Sequence, residues 1–339
     1  MRAPLTKFTS VALALAALIA IAQVGPGALS GKELRLSDRG PAPEFTGISN
    51  WLNSSPLPVA SLRGKVVLIQ FWTFSCINSL RALPYAKKWY ATYKDKGFTV
   101  IGVHTPEFAF EKETSSVQTA IERFEVTYPV PQDNQFSTWK AYRNYVWPAE
   151  YLIDKSGKIV AIQFGEGNYG KIEGAIARLV GASVSDTEPD DPGLSAIGSP
   201  EMYFGTEENI NGVLEKRSYS SAIVSSQSAS AGERVYTAPD HVRLNRFAFS
   251  GAWKISADNA TLRTDDGEIL LRFRAPKVNI VAGSPSSQTL SITVDGKPQP
   301  PVTVRGSQLY SLYTGPPGEH MLRLRIPKAG LSAFTFSFG

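Results

Sequence analysis

The stretch Lys65-Val-Val-Leu-Ile-Gln-Phe-Trp-Thr-Phe-Ser-Cys76-Ile-Asn-Ser79-Leu-Arg-Ala-Leu-Pro84 holds the only cysteine of the chain and admits few folds. Residues 66–71 are a β-branched and aromatic run, long enough for a buried strand. After a brief turn, Ile77, Leu80, Leu83 and Ala86 recur at helical spacing. This pattern predicts strand, cysteine, helix, with the thiol at a helix N-terminus. Unpaired N–H groups and the positive end of the helix dipole favour a thiolate there, lowering a cysteine pKa from about 8.5 toward roughly 3.5–7.5. The competing reading is an inert, buried thiol, the usual state of a lone cysteine.

Composition narrows the function classes. With 339 residues the chain has room for two domains with proper cores. A formal charge of +5, or +3 without Arg2 and Lys7, is too weak to suggest a nucleic-acid partner. A single cysteine excludes an internal disulfide and a thiolate-cluster metal site. His104, His241 and His320 lack ligand spacing and read as surface or core residues, so no metal and no cofactor is expected. Arg2 and Lys7 followed by the mostly apolar residues 11–24 read as a signal peptide ending near 22, with 30 as the alternative end. The apolar stretch is shorter than the ~20 residues that span a bilayer. Export to a periplasm is therefore expected, with an uncleaved membrane anchor as the alternative.

Further along, Gly97 stops the first helix and residues 98–103 form a second strand. Strand, helix, strand of this length implies a parallel crossover. His104-Thr-Pro-Glu107 leaves the C-terminal end of that strand, where open α/β sheets place their sites. Glu107 reads either as a carboxylate acting on a neighbouring pKa or as an acid opening the next helix. Helices are expected over 111–126, 137–144 and 172–180, and strands over 128–130 and 159–164. Trp147-Pro148 stands immediately before a further strand. Residues 183–198 are acidic and proline-rich, as in a linker. Beyond them the runs 251–256, 260–264, 268–274, 278–281, 290–294, 309–313, 320–326 and 333–338 read as strands. Leu322, Leu324 and Ile326 alternate with arginines, as half-buried sandwich strands do.

These motifs together resemble the thioredoxin fold, specifically the TlpA/DipZ-like redoxins. Trp72 lies four residues before Cys76 and Pro84 eight after it, as in that family. The wording Phe-Trp-Thr-Phe-Ser-Cys-Ile-Asn and Arg81-Ala-Leu-Pro84-Tyr85 is similar to its DipZ branch. Ser199-Pro-Glu-Met-Tyr203-Phe-Gly205, Trp253 and the Phe334-Thr-Phe-Ser-Phe ending resemble the C-terminal part of DipZ-type proteins. The resemblance implies an α/β thioredoxin-like domain over 40–182 and, after the linker, an all-β sandwich over 199–339 akin to a carbohydrate-binding module. It also implies a short hairpin before the first central strand and a cis-proline at Pro148. Cys76 and Ser79 then stand at the catalytic positions, and Trp72, Trp147, Pro148 and Glu107 at substrate-facing ones. In the family a buried acid stands six residues before the nucleophile; here that position is Gln70.

One departure decides the chemistry. Ser79 stands where the family carries its resolving cysteine. A Cys-X-X-Ser site can form a mixed disulfide but cannot open it with a second thiol of its own. The chain is thus a monothiol redoxin, a degenerate one, or one whose second cysteine has been exchanged. Gln70 and Ser79 together favour a natural monothiol, because a buried acid has little to do without a resolving thiol. The expected partners are periplasmic protein thiols and disulfides, with an electron donor on a separate membrane chain, since the membrane domain of DipZ-type proteins is absent from this sequence. Two other readings remain: a redox-inactive binding module, and a one-cysteine peroxidase based on the Thr73-x-x-Cys76 spacing. Carbohydrate binding by the second domain would need exposed aromatics, whereas core packing accounts for most of them.

The leader reading is open to direct test. Residues 1–30 fused to a reporter that works only after export should give activity, and a reporter confined to the cytoplasm would refute export.

Overall fold

The computed structural model describes residues 34–184, 194–206 and 222–339. The expected leader, and residues 185–193 of the expected linker, lie outside the described residues. The first part is ordered as Asn50–Leu52 (β1), Val66–Trp72 (β2), Ile77–Tyr93 (α1), Phe98–His104 (β3), Thr114–Arg123 (α2), Val130–Gln132 (β4), Ser137–Ala141 (α3), Ala149–Ile153 (β5), Ile159–Phe164 (β6) and Tyr169–Val180 (α4). Its six-stranded sheet runs β1-β4-β3-β2-β5-β6. Strands β2, β3 and β4 are parallel, while β1, β5 and β6 pair antiparallel.

The unbroken apolar run of β2 has its cause in its place. It lies at the sheet centre with every residue buried, so both faces need apolar side chains. Val66, Leu68 and Trp72 pack on one face against Leu83, Ala86 and Trp89 of α1 and Ile176 of α4. Val67, Ile69 and Phe71 face Trp139, Tyr142 and Tyr151 on the other. Helix α1 carries Pro84 within it, and Gly97 closes its extension with φ 81°, a conformation glycine adopts without strain. Gly102 is needed for space instead: a Cβ there would stand 2.7 Å from the Tyr128 ring and 3.1 Å from Trp72 Nε1.

Two expectations are corrected here. The segment ahead of β2 is not a hairpin, because β1 pairs with β4 at the sheet edge rather than with a chain neighbour. The helix expected from 111 starts at Thr114, after a short 3-10 turn, Ala109–Lys112.

The second part is all β: Met202–Tyr203 (β7), Gly232–Tyr236 (β8), Arg246–Ile255 (β9), Ala260–Leu262 (β10), Gly267–Arg274 (β11), Lys277–Gly283 (β12), Gln288–Val294 (β13), Lys297–Val304 (β14), Gln308–Thr314 (β15), Glu319–Ile326 (β16) and Ser332–Phe338 (β17). They form one connected sheet in the order β14-β13-β16-β11-β9-β10-β17-β12-β15, with β7 on β17 and β8 on β9. Strand β9 serves two layers. Residues 246–250 pair with β11, and 251–255 pair with β8, most of them with β10 too. The sheet thereby folds over one core, in which Phe249, Trp253, Ile269, Leu322, Ile280 and Phe336 meet. Strand β14 escapes a sequence reading because it contains Pro298, Pro300 and Pro301; it ends the strand order, where missing N–H donors do little harm.

The two folds share a buried seam. Phe108 packs with Tyr203, Val281 and Phe334, and Phe110 joins from the side. Arg81 of α1 holds Glu166 through two 2.7 Å bonds and reaches across to the carbonyls of Phe338 and Gly339 at 3.3 and 3.0 Å.

Phe249 offers a test of the second core, being fully buried against Trp253, Phe247 and Tyr236. Phe249→Ala should destabilise the protein by about 3–5 kcal/mol, measured by denaturant unfolding.

Candidate functional site

Cys76 is the N-cap residue of α1, as the apolar spacing predicts. The backbone amides of Ser79 and Asn78 at this terminus act to lower the thiol pKa, although the sulfur makes no capping hydrogen bond. The thiol is nevertheless pushed well above its ordinary value. Burial is the largest cause, and the charges of Glu107 and Glu201 add to it. The sign follows from magnitudes: a helix terminus gives about 0.3–1 kcal/mol, up to about 2 when partly buried, whereas desolvating a charge takes several. At 6% exposure the cysteine is desolvated almost completely. The low pKa expected from the helix terminus alone is therefore corrected.

The loop after β3 is tied to the cysteine by one carboxylate. Glu111 lies in the 3-10 turn and is fully buried. Its Oε1 accepts from the Ser75 amide at 3.1 Å and the Ser75 hydroxyl at 2.6 Å. Its Oε2 accepts from the amides of Glu107 at 2.6 Å and Phe108 at 3.0 Å. Four donors converge on this group, yet burial still pushes it up to about 7. The Glu107 backbone is thereby joined to the Ser75 turn through one carboxylate. Tyr203 of β7 donates its hydroxyl to Glu107 Oε1 at 2.6 Å, across the domain seam, and also lies 2.9 Å from Glu201 Oε2.

The remaining expected residues divide. Trp147 belongs to the same buried cluster as Cys76, and the Trp147–Pro148 bond is cis. Trp72 is fully buried, and its indole N–H donates to the Gly102 carbonyl at 3.1 Å, which makes it a packing residue rather than a substrate-facing one. The Ser79 hydroxyl accepts from the Thr73 amide at 3.4 Å, steadying the turn that leads to the cysteine. His104 lies in the core, stacked on Phe74, and burial pulls its pKa down to about 3.

Glu150 has no counterpart among the expected site residues. It pairs in register with Gln70 on the neighbouring strand, and Gln70 Nε2 stands 3.5 Å from its Oε1. Burial pushes Glu150 up to about 8. An acid inside the apolar run of β5 is a legible signal. Glu111, Glu201 and Tyr203 carry none, since their meeting depends on tertiary contacts. The aromatics Phe249, Trp253, Phe336 and Phe338 of the second domain are in its core.

Residues 39–162 match the AhpC/TSA family, and residues 199–339 match the thioredoxin-like C-terminal domain family. The chain is 38% identical over 330 residues to the protein DipZ of Mycobacterium bovis, covering 90% of this chain and 44% of that protein. It thus spans less than half the length of that relative. The thiol-disulfide oxidoreductase YkuV of Bacillus subtilis is 28% identical over 42% of this chain and 95% of its own. Among solved structures, a thiol-disulfide isomerase from Corynebacterium glutamicum is 26% identical, with a TM-score of 0.36 over 43% of this chain and 98% of that one.

Glu150 makes a prediction about stability against pH. Its carboxyl titrates near 4.5 when exposed and near 8 in the fold. A raised acid contributes stability that is full below the lower value and lost as pH rises through the upper one. Stability should therefore fall between about pH 5 and pH 8. Glu150→Gln should flatten that fall and be the more stable protein at pH 8, by several kcal/mol at most, as read from urea midpoints.

Proposed function

From the premise that this chain is a thioredoxin-like redoxin related to the DipZ proteins, we propose that it is an exported protein that carries out thiol–disulfide exchange through Cys76 alone. The observation that carries this reading is the sulfur itself. It stands at the N-cap position of a helix, where the amides of Ser79 and Asn78 act to lower its pKa, and lies in one cluster with Trp147 in a redoxin fold. Its substrates are protein thiols and disulfides. Attack by the Cys76 sulfur breaks the substrate disulfide, forms a Cys76–substrate disulfide and releases the other half as a thiol. Ser79 has no sulfur to attack the new bond, so an external thiol on a separate chain opens it and leaves Cys76 reduced.

A second reading is favoured by a specific observation. The thiol is almost fully buried and held protonated, as in a module that has kept the fold for recognition only.

Trapping and restoration separate the two. With a disulfide protein such as insulin, the wild-type chain should accumulate adducts at Cys76 and turn over poorly. Ser79→Cys should raise reductase turnover by about tenfold or more, since an intramolecular thiol outcompetes a dissolved one. Cys76→Ala should abolish the adducts. No gain with Ser79→Cys, together with full activity in Cys76→Ala, would leave the recognition reading in possession.

A further inference from the structure

A nucleophilic thiol that rests protonated needs a group to take its proton, and the β domain supplies part of one. Three oxygens stand in a row: Glu107 Oε1, the Tyr203 hydroxyl at 2.6 Å, and Glu201 Oε2 at 2.9 Å beyond it. A phenol has one proton to donate. It serves one carboxylate at a time, so the other short contact becomes a hydrogen bond when a carboxyl is itself protonated. The row is built to hold and pass a proton. It also runs outward, because Glu107 is 3% and Tyr203 5% exposed while Glu201 is half-buried at the surface. Its inner end is tied to the residue before the cysteine. The amide of Glu107 and that of Ser75, the residue before Cys76, bind the two oxygens of the same Glu111 carboxylate.

We propose that the β domain completes the redox centre, with Glu201 and Tyr203 extending Glu107 into a proton-holding chain that serves Cys76. This rests on exchange at Cys76 as proposed above. As the sulfur attacks a disulfide R–S–S–R′, the thiol proton passes to Glu107 and into the chain. The S–S bond of the substrate breaks, Cys76–S–S–R forms, and the departing R′S⁻ takes a proton back to leave as R′SH. No external oxidant or reductant enters this step. Glu107 acts at the thiol, whereas Tyr203 and Glu201 are positioning residues that act through it. The charged groups facing Cys76 are Glu107 and Glu201, and Glu111 faces Glu107 from the adjoining turn.

Conservative variants test the chain. Tyr203→Phe keeps the ring that packs on Phe108 and removes only the hydroxyl; Glu201→Gln keeps the shape and removes the charge. The readouts are the rate of Cys76 alkylation by iodoacetamide against pH and, in parallel, mixed-disulfide formation with a disulfide probe. Glu201→Gln should move the alkylation profile to lower pH by about half a unit or more, since it removes a negative charge felt at the thiol, whereas Tyr203→Phe, which takes a neutral donor from Glu107, should move it to higher pH. The double variant should depart from the sum of the two single shifts, as members of one chain do. Wild-type profiles in both variants, with mixed disulfides still forming, would overturn the chain and leave exchange at Cys76 intact. Absence of any mixed disulfide on the wild-type protein would sink the exchange reading and this one with it.

Discussion

The geometry around Cys76 depends on the buried carboxylate of Glu111. A carboxylate removed from water is unstable unless its lone pairs are used, and here four donors use them. Two donors belong to Ser75, at the entry to the cysteine turn; two belong to Glu107 and Phe108, in the loop after β3. The same loop then sends Phe108 and Phe110 into the seam with the second domain, and Glu107 to Tyr203. One buried acid thus sets the distance between nucleophile, carboxylate and β domain.

Much of this could be read from local pattern. The continuous apolar run of β2, the helical spacing after Cys76 and the proline before β5 each reflect forces acting within a few residues. What escaped reading had one of two causes. The pairing of β1 with β4 and the contact of Tyr203 with Glu107 join residues about 80 to 96 positions apart, and no local signal encodes them. The thiol pKa failed for a different reason. The helix terminus stands where the spacing places it and acts to lower the thiol pKa, but burial by the rest of the chain outweighs it. Strand β14, not among the strands expected from sequence, carries three prolines, which a position at the end of the strand order tolerates.

Gln70 and Glu150 bring the sequence and the site into one account. The family position six residues before the nucleophile holds an amide, which on its own looks like loss of the buried acid. The structure places a carboxyl directly across the ladder from it, on β5, at 3.5 Å. The buried acid of this sheet thus stands on the neighbouring strand, against Gln70. Tyr128 completes the arrangement by donating to Gln70 Oε1 at 3.3 Å. A carboxyl pushed up to about 8 is neutral over much of the neutral range, so it adds little repulsion to a thiolate formed nearby. The charges that do bear on Cys76 come instead from Glu107 and Glu201.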